Sequence, residues 1–265
     1  MNEAVRLYAK QLGLPTFARA EEAIRLAQEN GWGYEEFLLH LLRTELAQRK
    51  ENSRQRQIRL ARFPLPKTLD TFDFKRLEHL EEAAVWQLAK GEFVKRHENV
   101  IMIGNPGTGK THLAIGLGRR LCLEGFKVRF FTAAQLVMEL VEAQEFRRLS
   151  RLEAQLAKID VLIVDELSYM TFSKPHAELL FHLLSARNER GSVIITTNLE
   201  FSRWGELFPD AMLAGALVDR LTHRSHILNM NGESYRLATR LQALEAGGIP
   251  PSEEVMPTHP PSTDP

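Results

Sequence analysis

The chain has 265 residues and a mass of 30.3 kDa, room for one large domain or a medium domain with a small companion. Hydrophobic residues make up 44% and charged residues 26%, proportions that exclude wholesale disorder and fibrous repeats. The 34 basic side chains balance 34 acidic ones, so affinity for a polyanion has to come from uneven placement. No apolar run approaches the roughly 18 residues of a membrane span. The opening MNEAVRLYAK has no uninterrupted apolar segment, so a cytoplasmic protein without a secretory leader is expected. The lone Cys122 can form neither an intramolecular disulfide nor a thiolate metal site by itself; its setting in an apolar helical pattern points to a buried structural thiol.

Three textures divide the chain. Residues 1–66 read as a helical N-terminal domain with a basic terminal helix, residues 67–246 as an α/β domain, and residues 247–265 as a disordered tail rich in proline. In the first, helices are expected over Glu3–Leu12 and Arg19–Asn30, separated by GLPT and ended by NGWG. A longer helix starts at Tyr34, where Phe37, Leu38, Leu41, Leu42 and Leu46 recur at three and four as one apolar stripe. Its continuation is basic. Arg43, Arg49, Lys50, Arg54, Arg56, Arg59 and Arg62 face only Glu45 and Glu51, a local charge of +5. Two readings stay open there, a solvated helix face or a surface for duplex phosphates. Pro64 and Pro66 close the helix.

From residue 67 the pattern alternates strand and helix. Strands are expected at Val100–Ile103, Val128–Phe131, Val161–Val164, Val193–Thr196 and His226–Met230. Helices are expected at Thr111–Leu123, Ala134–Glu145, Leu149–Leu156 and His176–Arg190. Apolar strands without alternation, with helices between them, imply a mostly parallel five-stranded sheet covered on both faces. Such sheets bind ligands at the carboxyl ends of their strands.

The polar motifs fall at those ends. Gly104-Asn105-Pro106-Gly107-Thr108-Gly109-Lys110-Thr111 fits the phosphate-loop pattern and lies between the strand NVIMI and a helical stretch. Its glycines let consecutive N–H groups turn inward as an anion nest at a helix N-terminus. Lys110 can reach nucleotide phosphates, and the Thr111 hydroxyl can ligate Mg²⁺. Asp165 and Glu166 cap the strand VLIV; Asp165 is suited to Mg²⁺ and Glu166 to polarising a water. Asn198 ends SVIITTN, where an amide can orient that water. His223 and His226 lack a third convergent ligand for a metal. Trp32, Trp86 and Trp204 are scattered and read as packing anchors rather than a base-stacking platform.

With these residues in view, the chain resembles the AAA+ ATP-binding helper proteins of IS21-type insertion sequences, relatives of replicative helicase loaders. The resemblance rests on FPLPKTLDTFDF, NVIMIGNPGTGKTHLAIGLG, VLIVDELSYM, ELLFHLLSARNERGSVIITTNLEFSRWGELF and ALVDRLTHRSHILNMNGESYR, most of residues 63–240. The first 62 residues also resemble that family's small helical domain. It implies an AAA+ P-loop ATPase domain beside that helical domain. By that likeness Gly104–Thr111 is the Walker A nucleotide site; the adjacent His112 is counted among the nucleotide-binding candidates, though by itself it reads as ordinary helix packing or solvent. Asp165 and Glu166 are Walker B, and Asn198 is sensor 1. Arg220 matches the arginine finger that completes a neighbouring subunit's site, and Arg236 the sensor 2 arginine. Asn188 departs from the aromatic common at that position, away from phosphate chemistry. The resemblance further implies ATP and Mg²⁺ as cofactors and a homo-oligomer on duplex DNA. It also implies a DDE transposase as partner and no membrane. Further candidates for DNA contact are Arg147, Arg148, Arg151 and Lys174. A helicase loader shares nearly all these ATPase residues and remains the alternative; a scaffold using nucleotide only for structure is disfavoured by Glu166, Asn198 and Arg220.

Overall fold

The computed structural model describes residues 2–169, 171–235, 237 and 240. The tail 247–265 and Arg236 lie outside them. Five short strands form the frame: β1 (Asn99–Ile103), β2 (Val128–Thr132), β3 (Val161–Asp165), β4 (Ser192–Thr197) and β5 (Ser225–Asn229). Their order is β2-β3-β4-β1-β5, and every pairing is parallel. β3 and β4 are buried along their whole length, which is why both read as unbroken apolar runs.

The sheet separates two cores. Val100, Met102, Val161, Ile163 and Ile194 point into one, and Ile101, Leu162, Val164, Val193 and Ile195 into the other, following the two-residue period of a strand. The first core is covered by α7 (Lys110–Leu123), with α5 (Glu82–Leu88) and α6 (Glu92–Lys95) beside it. The second is covered by α8 (Ala133–Glu145), α9 (Leu149–Leu156), α10 (Lys174–Arg187) and α11 (Ala211–Thr222). Cys122 is fully buried in the first core, and burial pushes its thiol up to about 12, so it is the inert packing thiol expected.

The N-terminal helices are α1 (Glu3–Gln11), α2 (Pro15–Ala18), α3 (Glu21–Asn30) and α4 (Tyr34–Ala61). Asn2 caps α1 by accepting from Ala4 N–H at 2.9 Å, and the Glu36 carboxylate reaches back to Gly33 N–H at 3.0 Å. α4 spans 28 residues, a rod of about 42 Å. Its first half rests on the small helices through Leu41 and Phe37, against Ala20 and Ala23. Glu45 is buried there, accepting from Thr16 N–H at 2.9 Å and Arg49 Nε at 2.8 Å. Burial pushes this carboxyl up, but the Arg49 and Thr16 hydrogen bonds outweigh it and hold the group below its ordinary value. The expected apolar stripe is therefore only partly covered: Leu38, Leu42 and Leu46 remain about half exposed, because the small helices reach only the Leu41–Glu45 side.

The second half of α4 packs on α7 and β2. Ala61 is fully buried in the first core with Ile58 beside it. Arg54 Nε donates to the Leu123 carbonyl at 2.8 Å, and Arg129 Nη1 to the Leu60 carbonyl at 3.1 Å. The helix ends at Arg62 in the left-handed region, with Pro64 and Pro66 following.

Some boundaries differ from the sequence reading. α10 runs Lys174–Arg187, not His176–Arg190. Pro175 fits its first turn, where no N–H is needed, and the chain leaves the helix at Asn188 because Arg187 turns inward. Arg187 is buried and donates to the carbonyls of Leu156 (2.8 Å), Ile159 (2.9 Å) and Ser192 (3.2 Å), pinning the end of α9 to the start of β4. A Cβ on Gly191 would lie 2.7 Å from its guanidinium, so glycine leaves room for it. The expected GLPT turn holds the start of a short helix, α2, with Pro15 at its first position, and α5, α6 and α11 are likewise not among the expected helices. For α11 a signal existed: Asp210 accepts from Met212 and Leu213 N–H, an N-cap ahead of an apolar helical pattern.

Replacing Arg187 with Leu strands those carbonyls, and a loss of about 3 kcal/mol is expected in urea unfolding. At the start of β1, Arg96 donates twice to Glu98 at 2.9 Å and His226 Nε2 lies 2.9 Å from it. Chiefly the Arg96 hydrogen bond holds Glu98 down at about 2, against an ordinary 4.5. That stability is fully present above pH 4.5 and is lost as pH falls through about 2. Glu98→Gln should flatten this acid limb of the stability profile.

Candidate nucleotide site

β1, β3 and β4 finish side by side, with Ile103 paired to Thr197 and Val164 to Ile195. The chain leaves β1 into the loop Gly104–Gly109 and enters α7 at Lys110. Gly104 passes so close to β5's exit that a Cβ would lie 2.2 Å from the Met230 carbonyl. Gly107 and Gly109 have φ of 82° and 91°, the left-handed region that favours glycine. Thr108 Oγ1 donates to the Asn105 carbonyl at 2.9 Å. Lys110 is buried and arches back over the loop, its Nζ donating to the Gly104 and Asn105 carbonyls at 2.7 Å each. Asn105 and Pro106 are exposed; Asn105 Nδ2 donates to the Gly232 carbonyl at 3.4 Å, and Tyr235 N–H to the Gly107 carbonyl at 2.9 Å.

Asp165 is the polar centre of the site. It is 2% exposed, and it accepts from Thr111 Oγ1 at 3.0 Å and from Thr196 Oγ1 at 2.5 Å. Burial pushes its carboxyl above the ordinary range, opposed by the Thr196 and Thr111 hydrogen bonds and the Lys110 charge. A hydroxyl and a carboxylate side by side, both hard oxygen donors, fit Mg²⁺. Among the described residues no cluster of three His, Cys, Asp or Glu could hold a metal, so any ion here relies on few protein ligands, as Mg²⁺ at a phosphate site does.

The next residue, Glu166, has φ of 60° and is exposed, and its N–H donates to Thr196 Oγ1 at 2.9 Å. The kink gives two adjacent carboxylates opposite surroundings, one buried against the loop and one facing water. Thr196 Oγ1 ties the two residues together, donating to the Asp165 carboxylate and accepting from the Glu166 backbone N–H, a role the sequence alone did not single out; its position one strand over from the Asp–Glu pair was the available signal. Asn198 is half-buried, and its N–H donates to Ser168 Oγ at 2.9 Å, a second contact that sequence reasoning missed.

The remaining candidates are placed as follows. Arg220 is exposed on α11 with its guanidinium 5.0 Å from the Phe181 ring of α10. His112 turns to the segment before α5: Nε2 lies 2.9 Å from the Thr68 carbonyl and 3.1 Å from Thr71 Oγ1, with its ring edge-on to Phe72. Burial pushes it below the ordinary histidine value. Along α4, Arg43, Lys50, Arg56, Arg59 and Arg62 are exposed. Arg49 and Arg54 are exposed too but engaged, Arg49 with Glu45 and the Gly13 carbonyl, Arg54 with the Leu123 carbonyl. Arg147, Arg148 and Arg151 lie where α8 meets α9, Arg148 over Phe146 at 5.7 Å, with Glu139 and Glu142 close by. Lys174 is exposed at the start of α10.

A family model described as IstB-like ATP binding protein matches residues 7–243. The chain belongs to that family. It is 38% identical to the ATP-binding protein of insertion sequence IS5376 from Geobacillus stearothermophilus, over 89% of this chain and 95% of the relative. It is 41% identical to that of insertion sequence IS21 from Pseudomonas aeruginosa, over 84% of each. Among solved structures, AMPPCP-bound DnaA from Aquifex aeolicus superposes with a TM-score of 0.55 at 16% identity, over 73% of this chain and 59% of that one. A DnaI structure superposes at 0.54 and 17%, over 68% and 98%. These two likenesses show the fold, a P-loop domain of the AAA+ type with a parallel five-stranded sheet. The chain is an ATP-binding protein, and no helix among its described residues is long and apolar enough to cross a membrane.

Thr196→Val would remove the hydroxyl that donates to Asp165 and accepts from Glu166. ATP turnover should fall by about 10-fold or more, on the scale of a lost buried hydrogen bond, while ATP still binds. Unchanged turnover would deny Thr196 this role.

Proposed function

We propose that this protein is an ATP-dependent, duplex-DNA-binding helper of a transposase, assembling as a homo-oligomer on target DNA and using ATP hydrolysis as its switch. The observation that carries the reading is the Thr111–Asp165–Thr196 cluster at the foot of the phosphate loop, in a chain whose relatives carry the names of insertion sequences. The loop N–H groups and Lys110 hold the phosphates. Thr111 and Asp165 would hold Mg²⁺, which when bound offsets phosphate charge. Glu166, exposed beside them, accepts the proton of the attacking water, and Asn198 orients that water. The hydrolysed bond is the terminal phosphoanhydride; ADP and inorganic phosphate leave.

Arg220 supports the oligomeric part of the reading. It faces outward on α11 over the Phe181 ring, which suits a cation offered to a neighbour's γ-phosphate rather than to its own. The exposed basic residues of α4 supply a surface for DNA phosphates, so target choice would follow DNA shape and bendability more than base edges.

Glu166→Gln is expected to lower DNA-stimulated ATP turnover by about 100-fold or more, the usual size of a general-base contribution, with nucleotide still bound; equal rates end the catalytic assignment. Arg220→Ala and Lys110→Ala should each be inactive alone and regain turnover when mixed, because mixed assemblies contain some sites with both groups intact. Electron microscopy with duplex DNA and a non-hydrolysable ATP analogue should show assemblies only with both ligands. Binding solely to a hexameric helicase would favour the loader alternative.

A further inference from the structure

The chain entering the P-loop domain is moulded along α7, the helix that starts with Lys110 and Thr111. Three glycines leave the room. A Cβ on Gly118 would lie 2.9 Å from the Phe63 ring, on Gly116 2.9 Å from the Leu69 nitrogen, and on Gly109 2.9 Å from the Phe72 ring. At the far end of α7, Arg54 of α4 donates to the Leu123 carbonyl. At the near end the polar fastening is His112. A carbonyl only accepts, so Nε2 carries the hydrogen and donates towards Thr68 O at 2.9 Å, with Thr71 Oγ1 at 3.1 Å accepting alongside. Thr71 Oγ1 donates to the same carbonyl at 3.0 Å, closing a small network one residue from Thr111.

We propose that His112 is a positioning residue that fastens the 63–72 segment, and through it α4, to the first turn of the P-loop helix, so that the nucleotide state at Lys110 and Thr111 is passed to the basic surface of α4. The inference rests on the ATP- and DNA-dependent function proposed above. Its physical basis is continuity. α4 runs unbroken from the N-terminal helices to Ala61, which is buried in the core under α7. α4 and the 63–72 segment therefore touch α7 at both of its ends. A shift of the first turn when phosphates bind cannot be absorbed by the segment while the His112 network holds. Without that network the apolar packing of Leu69 and Phe72 in the first core remains, but the directional bond to the first turn of α7 is lost.

The test uses the full chain with two substitutions. His112→Phe keeps a ring against Phe72 but has no donor; His112→Gln keeps a donor at similar reach. Duplex-DNA affinity is measured with and without a saturating non-hydrolysable ATP analogue, and the ratio of the two is read. Couplings of this kind are on the order of 5–150-fold. The unsubstituted protein and His112→Gln should show such a gain, and His112→Phe should fall to about twofold or less. A merely structural histidine would lower both affinities together and leave the ratio unchanged; an unchanged ratio in His112→Phe overturns the inference. No gain in the unsubstituted protein overturns the underlying functional reading instead. Hydrogen exchange gives an independent reading on the unsubstituted protein. Amides of residues 63–72 and of the last turns of α4 should exchange more slowly with the analogue bound, and unchanged exchange there counts against the coupling.

Discussion

The Asp165 carboxylate, buried between Thr111 of the P-loop helix and Thr196 of β4, is the contact on which the site depends. A buried carboxylate is costly unless it is hydrogen-bonded, and this one takes its bonds from two elements that must therefore sit in register beside β3. The parallel pairing of β3 with β4 and of β4 with β1 provides that register. Glycine at 104 then lets the loop leave β1 close against β5. One ionisable group thus fixes the relative heights of two strand ends and one helix start.

Much of this was legible in the sequence. The phosphate loop is a local pattern whose backbone demands are written in its glycines, and the strands announce themselves because burial on both faces leaves no polar alternation. The Asp165–Glu166 pair could be placed at a strand end. Their division into a buried and an exposed carboxylate could not, since it arises from the positive φ at Glu166 and from Thr196 across the sheet. Arg187 was invisible for a related reason. An arginine at a helix end reads as solvated, and only the fold shows the ring of carbonyls that receives it.

The basic stretch of α4 illustrates the limit of counting charge. Seven cations in twenty residues look like one surface. In the fold, Arg49 turns to Glu45 and Gly13, Arg54 reaches the end of α7, and the others stay in water. Helical geometry spreads neighbours in sequence around the axis, so part of the charge ties the small helices and the P-loop domain to a single rod. The half-exposed leucines on the same helix have the same origin: a small bundle covers one side of a long helix and no more.

Cys122 has a practical corollary. As the chain's sole cysteine, closed off beneath the P-loop helix with its thiol pushed up to about 12, it is shielded from alkylating reagents for as long as that helix stays seated. Its rate of modification is a clock for the opening of this one face, read at a single native atom with no engineered label, and it reports how firmly the nucleotide-bearing helix is held in any ligand state.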